Sequence, residues 1–202
     1  MEKRQEKAVS ELHERFEFRN IHSDEGEQAA KIERLCFPPN EACSRDMMLK
    51  RVAKAPDLFL VAVDRNTGRI AGFLNGLATK EDSFRDEFFT DAELHDPSGE
   101  NIMLLGLDVL PEYRMQGLAR EIMDCYLKRE YKKGRRMVLL TCLDSKVEMY
   151  QKMGFEDMGI ADTGQPDMDE LLEKEMLLGV LEEALDSLMP EERELALKVF
   201  GE

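Results

Sequence analysis

Phe16-Glu17-Phe18-Arg19-Asn20-Ile21 alternates apolar and polar residues, the period of a half-buried strand. The polar, charged residues before it read as a frayed tail or a short helix. Ser23 stands at a cap position with acids in the turn after it, and Ala29, Ala30, Ile32 and Leu35 form a stripe, which predicts a helix that Pro38-Pro39 stops. Ser44 predicts a second cap, with Met47, Met48, Val52 and Ala55 facing inward and Pro56 as the stop. Leu58–Val63 and Ile70–Gly76 read as strands of a hairpin turned by Asp64–Gly68. Residues 78–101 are acidic and irregular, a length typical of functional loops.

The run Ile102–Val109 is almost continuously apolar, as in a central strand covered on both faces. A helix is predicted from about Met115 to Lys132, with Leu118, Ile122, Cys125 and Tyr126 at helical spacing and Gly134 as its stop. Met137–Thr141 is a buried strand, Ser145–Met153 a short helix ended by Gly154, and Phe155 opens another strand. Lys174–Leu178 reads as a last strand, and Val180–Phe200 as two short amphipathic helices. This order predicts a mixed α/β sheet, with a right-handed parallel crossover from Ile102 to Thr141. With no repeats and no linker, residues 1–202 read as one domain, its core at about 16–179 and a helical extension at about 180–202.

Composition narrows the function. The chain of 202 residues is 43% hydrophobic and 35% charged, which suits a soluble domain. No apolar run approaches the ~20 residues a bilayer demands, and the charged start is no signal peptide, so the cytoplasm is the expected location. A net charge of −15 disfavours nucleic acid and is compatible with a cationic substrate. The four cysteines form no Cys-x-x-Cys pair and the three histidines do not cluster with them along the chain, which argues against a metal site. Cys125 and Cys142 read as small core residues.

Arg114-Met115-Gln116-Gly117-Leu118-Ala119 follows a buried strand and opens a helix. The first turn of a helix offers unpartnered N–H groups and partial positive charge, which suits an anion such as a diphosphate. Gly117 lets the anion approach the backbone, Ala119 keeps the next turn small, and Arg114 adds a cation. Taken alone, Gly117 is equally compatible with a purely packing role.

The segment Arg114–Ala119 matches the Arg/Gln-x-x-Gly-x-Gly/Ala motif of the GNAT superfamily of N-acetyltransferases, and Val109–Tyr113 resembles its approach. Tyr150-Gln151-Lys152-Met153-Gly154-Phe155 resembles the family's second signature. Cys36–Ala42 and Leu140–Asp144 are similar to the arylalkylamine N-acetyltransferase branch. The resemblance implies a mostly antiparallel central sheet flanked by helices, with the parallel crossover at the cofactor site. It implies acetyl-CoA as cosubstrate, no metal, and direct attack by a primary amine of a small molecule.

The resemblance further assigns Leu107, Asp108 and Val109 to the pantetheine and thioester through their backbone, and Arg114, Met115, Gln116, Gly117, Leu118 and Ala119 to the pyrophosphate. Tyr150 matches the acid that protonates the leaving thiolate; packing on the cofactor is its alternative. The His-x-His pair of vertebrate arylalkylamine enzymes is replaced by Met103 and Leu105, so Glu41 becomes the leading base candidate, with a plain loop acid as its alternative. Glu87 and His95 are weaker candidates, and Glu33 reads as a solvated helix residue. Three other readings remain open: a peptide or antibiotic amine as acceptor, a catalytically silent acyl-CoA-binding module, and C-terminal helices that form a partner surface or a homodimer.

Overall fold

A computed structural model describes residues 2–39, 41–160 and 175–181. Seven strands form one sheet: β1 (Phe16–Asn20), β2 (Phe59–Asp64), β3 (Ile70–Thr79), β4 (Asn101–Val109), β5 (Met137–Leu143), β6 (Phe155–Ile160) and β7 (Glu175–Leu181). Their order is β1-β2-β3-β4-β5-β7-β6, and only β4 and β5 run parallel. The helices are α1 (Glu2–Arg15), α2 (Gly26–Cys36), α3 (Arg45–Lys54), α4 (Glu87–Thr90), α5 (Leu118–Lys132) and α6 (Asp144–Gln151).

The two faces of the sheet are covered differently. A Cβ on Gly72 would meet Ile122 of α5 at 3.1 Å, whereas one on Gly106 would lie 3.7 Å from Glu33 of α2. Gly72 pairs with Val109 and Asn75 with Gly106, so side chains alternate between the two coverings. Phe73, Leu74, Leu77, Ile102, Met103, Ile122 and Tyr126 are fully buried between these layers. Burying each large apolar side chain of this kind contributes about 1.5–3 kcal/mol.

Several boundaries differ from the sequence reading. Met115 adopts φ 58° and Gly117 φ 84°, both left-handed, so α5 starts at Leu118 rather than Met115. Ser23 does not cap α2: it lies in a 3-10 turn, where the Glu25 carboxylate accepts the His22 N–H at 2.8 Å. Ser44 does cap α3, accepting the Met47 N–H at 3.2 Å. The acidic loop contains α4, and its Phe84 and Phe88 are buried, which anchors the loop by apolar contact. Val180 and Leu181 belong to β7, and the two helices expected beyond them lie outside the described residues. Among the described residues, no helix is long and apolar enough to cross a membrane.

Candidate active site

The parallel pairing of β4 with β5 covers only Asn101–Met103 against Met137–Leu139. Beyond it the strands part. On its other side β4 stays paired with β3 to Val109, with a register shift at Asn75/Gly76. From Leu104 to Val109 the edge of β4 turned toward β5 therefore has no ladder partner among the described residues. Leu107, Asp108 and Val109 lie on that edge.

The turn from Arg114 to Ala119, the candidate anion site, closes the end of this gap. After Val109 the chain makes a 3-10 turn at Pro111–Tyr113, and the two left-handed residues Met115 and Gly117 aim it into α5. Glu121 N–H is bonded to Gly117 O at 3.1 Å, and the amides ahead of it face outward from the helix start. The Gln116 side chain is tied down, its Oε1 accepting from Arg15 at 2.8 Å and its Nε2 donating to Glu112 O at 3.0 Å. Arg114 Nε donates to Val109 O at 2.8 Å, which fixes the guanidinium beside the strand exit. Next to this turn a groove of ≈ 330 Å³ runs between α5 and α6, lined by Arg120, Ser145, Glu148, Met149, Lys152 and Met153. Arg120 and Lys152 bring cations to a groove that sequence reasoning had not singled out.

Beneath β4, on the α2 face, lies a buried charged nest. Glu33, Arg51 and Asp108 are only 3%, 3% and 1% exposed, and Asn75 is buried with them. Glu33 Oε1 accepts the Cys43 N–H at 2.9 Å. Arg51 donates to Asn75 Oδ1 at 3.3 Å and to Phe89 O at 2.8 Å. Glu33 Oε2 and both Asp108 oxygens meet no N–H or O–H donor. Two such acids can hydrogen-bond to each other only when one holds a proton. Burial, then the charge of Glu33, holds Asp108 well above the usual carboxylate range. Burial also raises Glu33, against the pull of the Cys43 amide.

Both shifts favour a neutral carboxyl, so the pair is suited to sharing a proton, and the positive charge of Arg51 acts on both acids. Unpaired, each buried charge would cost several kcal/mol. Gly106 makes room for the contact: a Cβ there would stand 3.3 Å from Asp108 Oδ2 and 3.7 Å from Glu33 Oε2. The neighbouring thiols of Cys36 and Cys43 are each pushed up to about 11 by burial, so they add no charge at neutral pH.

Tyr150, on α6, is half-buried and meets Phe155 edge-on at 5.8 Å between ring centroids. Burial raises its hydroxyl above the ordinary tyrosine value, and the charges of Cys142 and Asp108 add to this. Asp108 is thus within electrostatic reach of Tyr150.

Other expected residues sit elsewhere. Glu41 is exposed in the turn after α2, its N–H bonded to Pro38 O at 3.0 Å. Glu87 is exposed and pairs with Arg85 at 3.2 Å. His95 Nδ1 accepts the Ala78 N–H at 3.2 Å, a structural role. Glu33, read as a solvated helix residue, is instead buried beside Asp108. Its position carried the signal: it falls four residues after Ala29 and three after Ala30, on the buried stripe. Arg51, three after Met48, stands on the inner stripe of α3 in the same way.

The family model for the acetyltransferase (GNAT) domain matches residues 55–157. No curated protein sequence matches the chain. Among solved structures, the chain is similar to the GNAT-like decarboxylase GphF in complex with isobutyryl-CoA, at 19% identity and TM-score 0.66 over 82% of this chain and 98% of that one. It is also similar to the loading GNATL domain of CurA from Lyngbya majuscula, at 16% identity and TM-score 0.70 over 82% and 97%. A third is diaminobutyrate acetyltransferase EctA from Paenibacillus lautus, in complex with L-2,4-diaminobutyric acid and coenzyme A, at 15% identity and TM-score 0.58 over 82% and 94%. At these identities the likeness is one of fold.

Proposed function

The chain belongs to the acetyltransferase (GNAT) family, and from that premise we propose that it transfers the acetyl group of acetyl-CoA to a primary amine of a small molecule. The observation that carries this reading is the free edge of β4 from Leu104 to Val109, which leads into a turn with two left-handed residues at the start of α5, with the Glu33–Asp108 pair beneath that strand.

Each group has a step. The turn from Arg114 to Ala119 holds the pyrophosphate on its amides, and the free edge Leu107–Val109 bonds the pantetheine and orients the thioester. An alkylamine arrives protonated, since its pKa is near that of lysine, ~10.4. The Glu33–Asp108 pair takes its proton, in place of Glu41. A carboxyl raised by burial is a better base toward an ammonium than an ordinary one. The amine nitrogen then attacks the thioester carbonyl, the C–S bond breaks, the Tyr150 hydroxyl protonates the departing thiolate, and the proton that the nitrogen sheds on becoming an amide restores the Tyr150 hydroxyl. Tyr150 carries its proton at neutral pH, as an ordinary tyrosine of pKa ~10 also would.

The stretches Cys36–Ala42 and Leu140–Asp144 favour an arylalkylamine acceptor, and the net charge of −15 suits a cation. Release of free thiol from acetyl-CoA, measured across a panel of arylalkylamines, diamines and peptide α-amines, tests the reading. Turnover with small amines supports it. No thiol release with any amine leaves a silent acyl-CoA-binding module. Tyr150→Phe is expected to lower kcat ~10²-fold or more with little change in KM for acetyl-CoA, and unchanged turnover would remove the acid role.

A further inference from the structure

A second cluster lies on the opposite side of the phosphate-binding turn, where the last turn of α1 crosses α5. His13 Nε2 is 2.7 Å from Glu121 Oε1, and the Cys125 thiol reaches the same oxygen at 3.5 Å. The three potential ligand atoms lie within 4.8 Å of one another. Separated by 108 residues along the chain, His13 and Glu121 meet only through the fold, which is why the spacing of cysteines and histidines argued against any metal.

We propose that His13, Glu121 and Cys125 form a transition-metal site of the zinc class, joining α1 to α5. A set of one imidazole, one carboxylate and one thiolate suits zinc and disfavours magnesium and calcium, which prefer oxygen. Zinc binds these donors at about 2.0–2.3 Å, so a tetrahedral site places donor atoms about 3.5 Å apart, which small rotations of His13 and Cys125 from their present contacts supply. Glu121 and Cys125 are one helical turn apart on α5, on the same face. The His13 ring is held against Phe18 at 4.9 Å between centroids. The side chain of Glu121 is 8% exposed and that of His13 48%, which leaves one open position for water.

Charge also balances. A divalent cation with one thiolate and one carboxylate is neutral, and the bound form replaces the 2.7 Å hydrogen bond of His13 and the 3.5 Å thiol contact, both made to one oxygen of Glu121. Loading displaces the thiol proton to solvent, because the metal binds the thiolate. The same turn of α1 touches the phosphate-binding turn, through Arg15 to Gln116 at 2.8 Å and through Leu12, 3.8 Å from where a Cβ on Gly117 would stand. A bound metal would hold α1 against that turn.

Titration of the full-length, metal-stripped protein with cobalt(II) tests this. One equivalent should produce a near-ultraviolet thiolate-to-cobalt band together with visible bands of tetrahedral intensity, and zinc should erase both. Cys125→Ser should abolish the ultraviolet band, and His13→Ala should weaken zinc binding ~10-fold or more. Circular dichroism confirms that each variant is folded. Absence of a thiolate band in the wild type, or its persistence in Cys125→Ser, would overturn the proposal.

Discussion

Asp108→Asn is expected to lower kcat by ~10²-fold or more and at the same time to stabilise the protein at alkaline pH. Both effects come from one proton. Asp108 is held well above the usual carboxylate range by burial and by Glu33, so the folded protein favours its neutral form. A group with a raised folded pKa contributes stability fully present below its unfolded pKa of ~3.9, and this is lost as pH rises through the folded value. Asparagine stays neutral throughout and offers Glu33 an amide donor that does not titrate.

The wild type should therefore lose thermal stability as pH rises through the folded value of Asp108, and the variant should lose less, because only Glu33 of the pair then titrates. A gain of about 1 kcal/mol corresponds to a rise of roughly 2–4 °C in Tm for a chain of this size. Scanning calorimetry across pH and thiol-release kinetics measure the two effects. Equal activity of variant and wild type would remove the pair from the proton path. Glu33→Gln should lose activity similarly, and the double variant should lose little more, as groups acting as one unit are non-additive.

Gly117→Glu should abolish measurable acetyl-CoA binding in titration calorimetry, a loss of ~10²-fold or more in affinity, while the protein stays folded. Two causes act together. The carboxylate would stand at the α5 start where a diphosphate belongs, and like charges repel most strongly where amides and helix dipole were offered to an anion. Gly117 also sits at φ 84°, a conformation that costs other residues about 1–2 kcal/mol. That is well below a typical total stability of about 5–15 kcal/mol. A Cβ at this position would meet only Leu12, at 3.8 Å, so the backbone site itself is not crowded. Normal affinity would place the pyrophosphate elsewhere.

Much of the architecture was legible because hydrophobic period follows secondary structure closely here. The alternation at Phe16–Ile21, the apolar run through β4 and the glycine before α5 each placed an element near its observed span. What escaped was polarity inside an apolar pattern. Glu33 and Arg51 look like ordinary solvated helix charges until their positions are compared with Ala29, Ala30 and Met48. Asp108 entered the sequence reading only for its backbone, and the partner of its carboxyl comes from a helix 75 positions earlier, by the numbers 108 and 33. Glu41 drew notice by its segment, and the turn that carries it faces solvent. Pairing across such distances depends on how α2 sits on β4, which no local spacing records.

The position of β7 has a consequence for how the protein is made. It is the last described strand in the chain, yet it lies between β5 and β6, paired with Leu139–Leu143 on one side and Phe155–Ile160 on the other. On a ribosome, β5 and β6 emerge first and must wait with unpaired edges until the chain has grown through Leu181. Such edges invite pairing with other chains. α6, which carries Tyr150, connects those two strands. The acid role proposed for Tyr150 would thus become available late in synthesis, and ribosome-stalled chains ending before β7 should be rich in chaperone contacts and poor in thiol release.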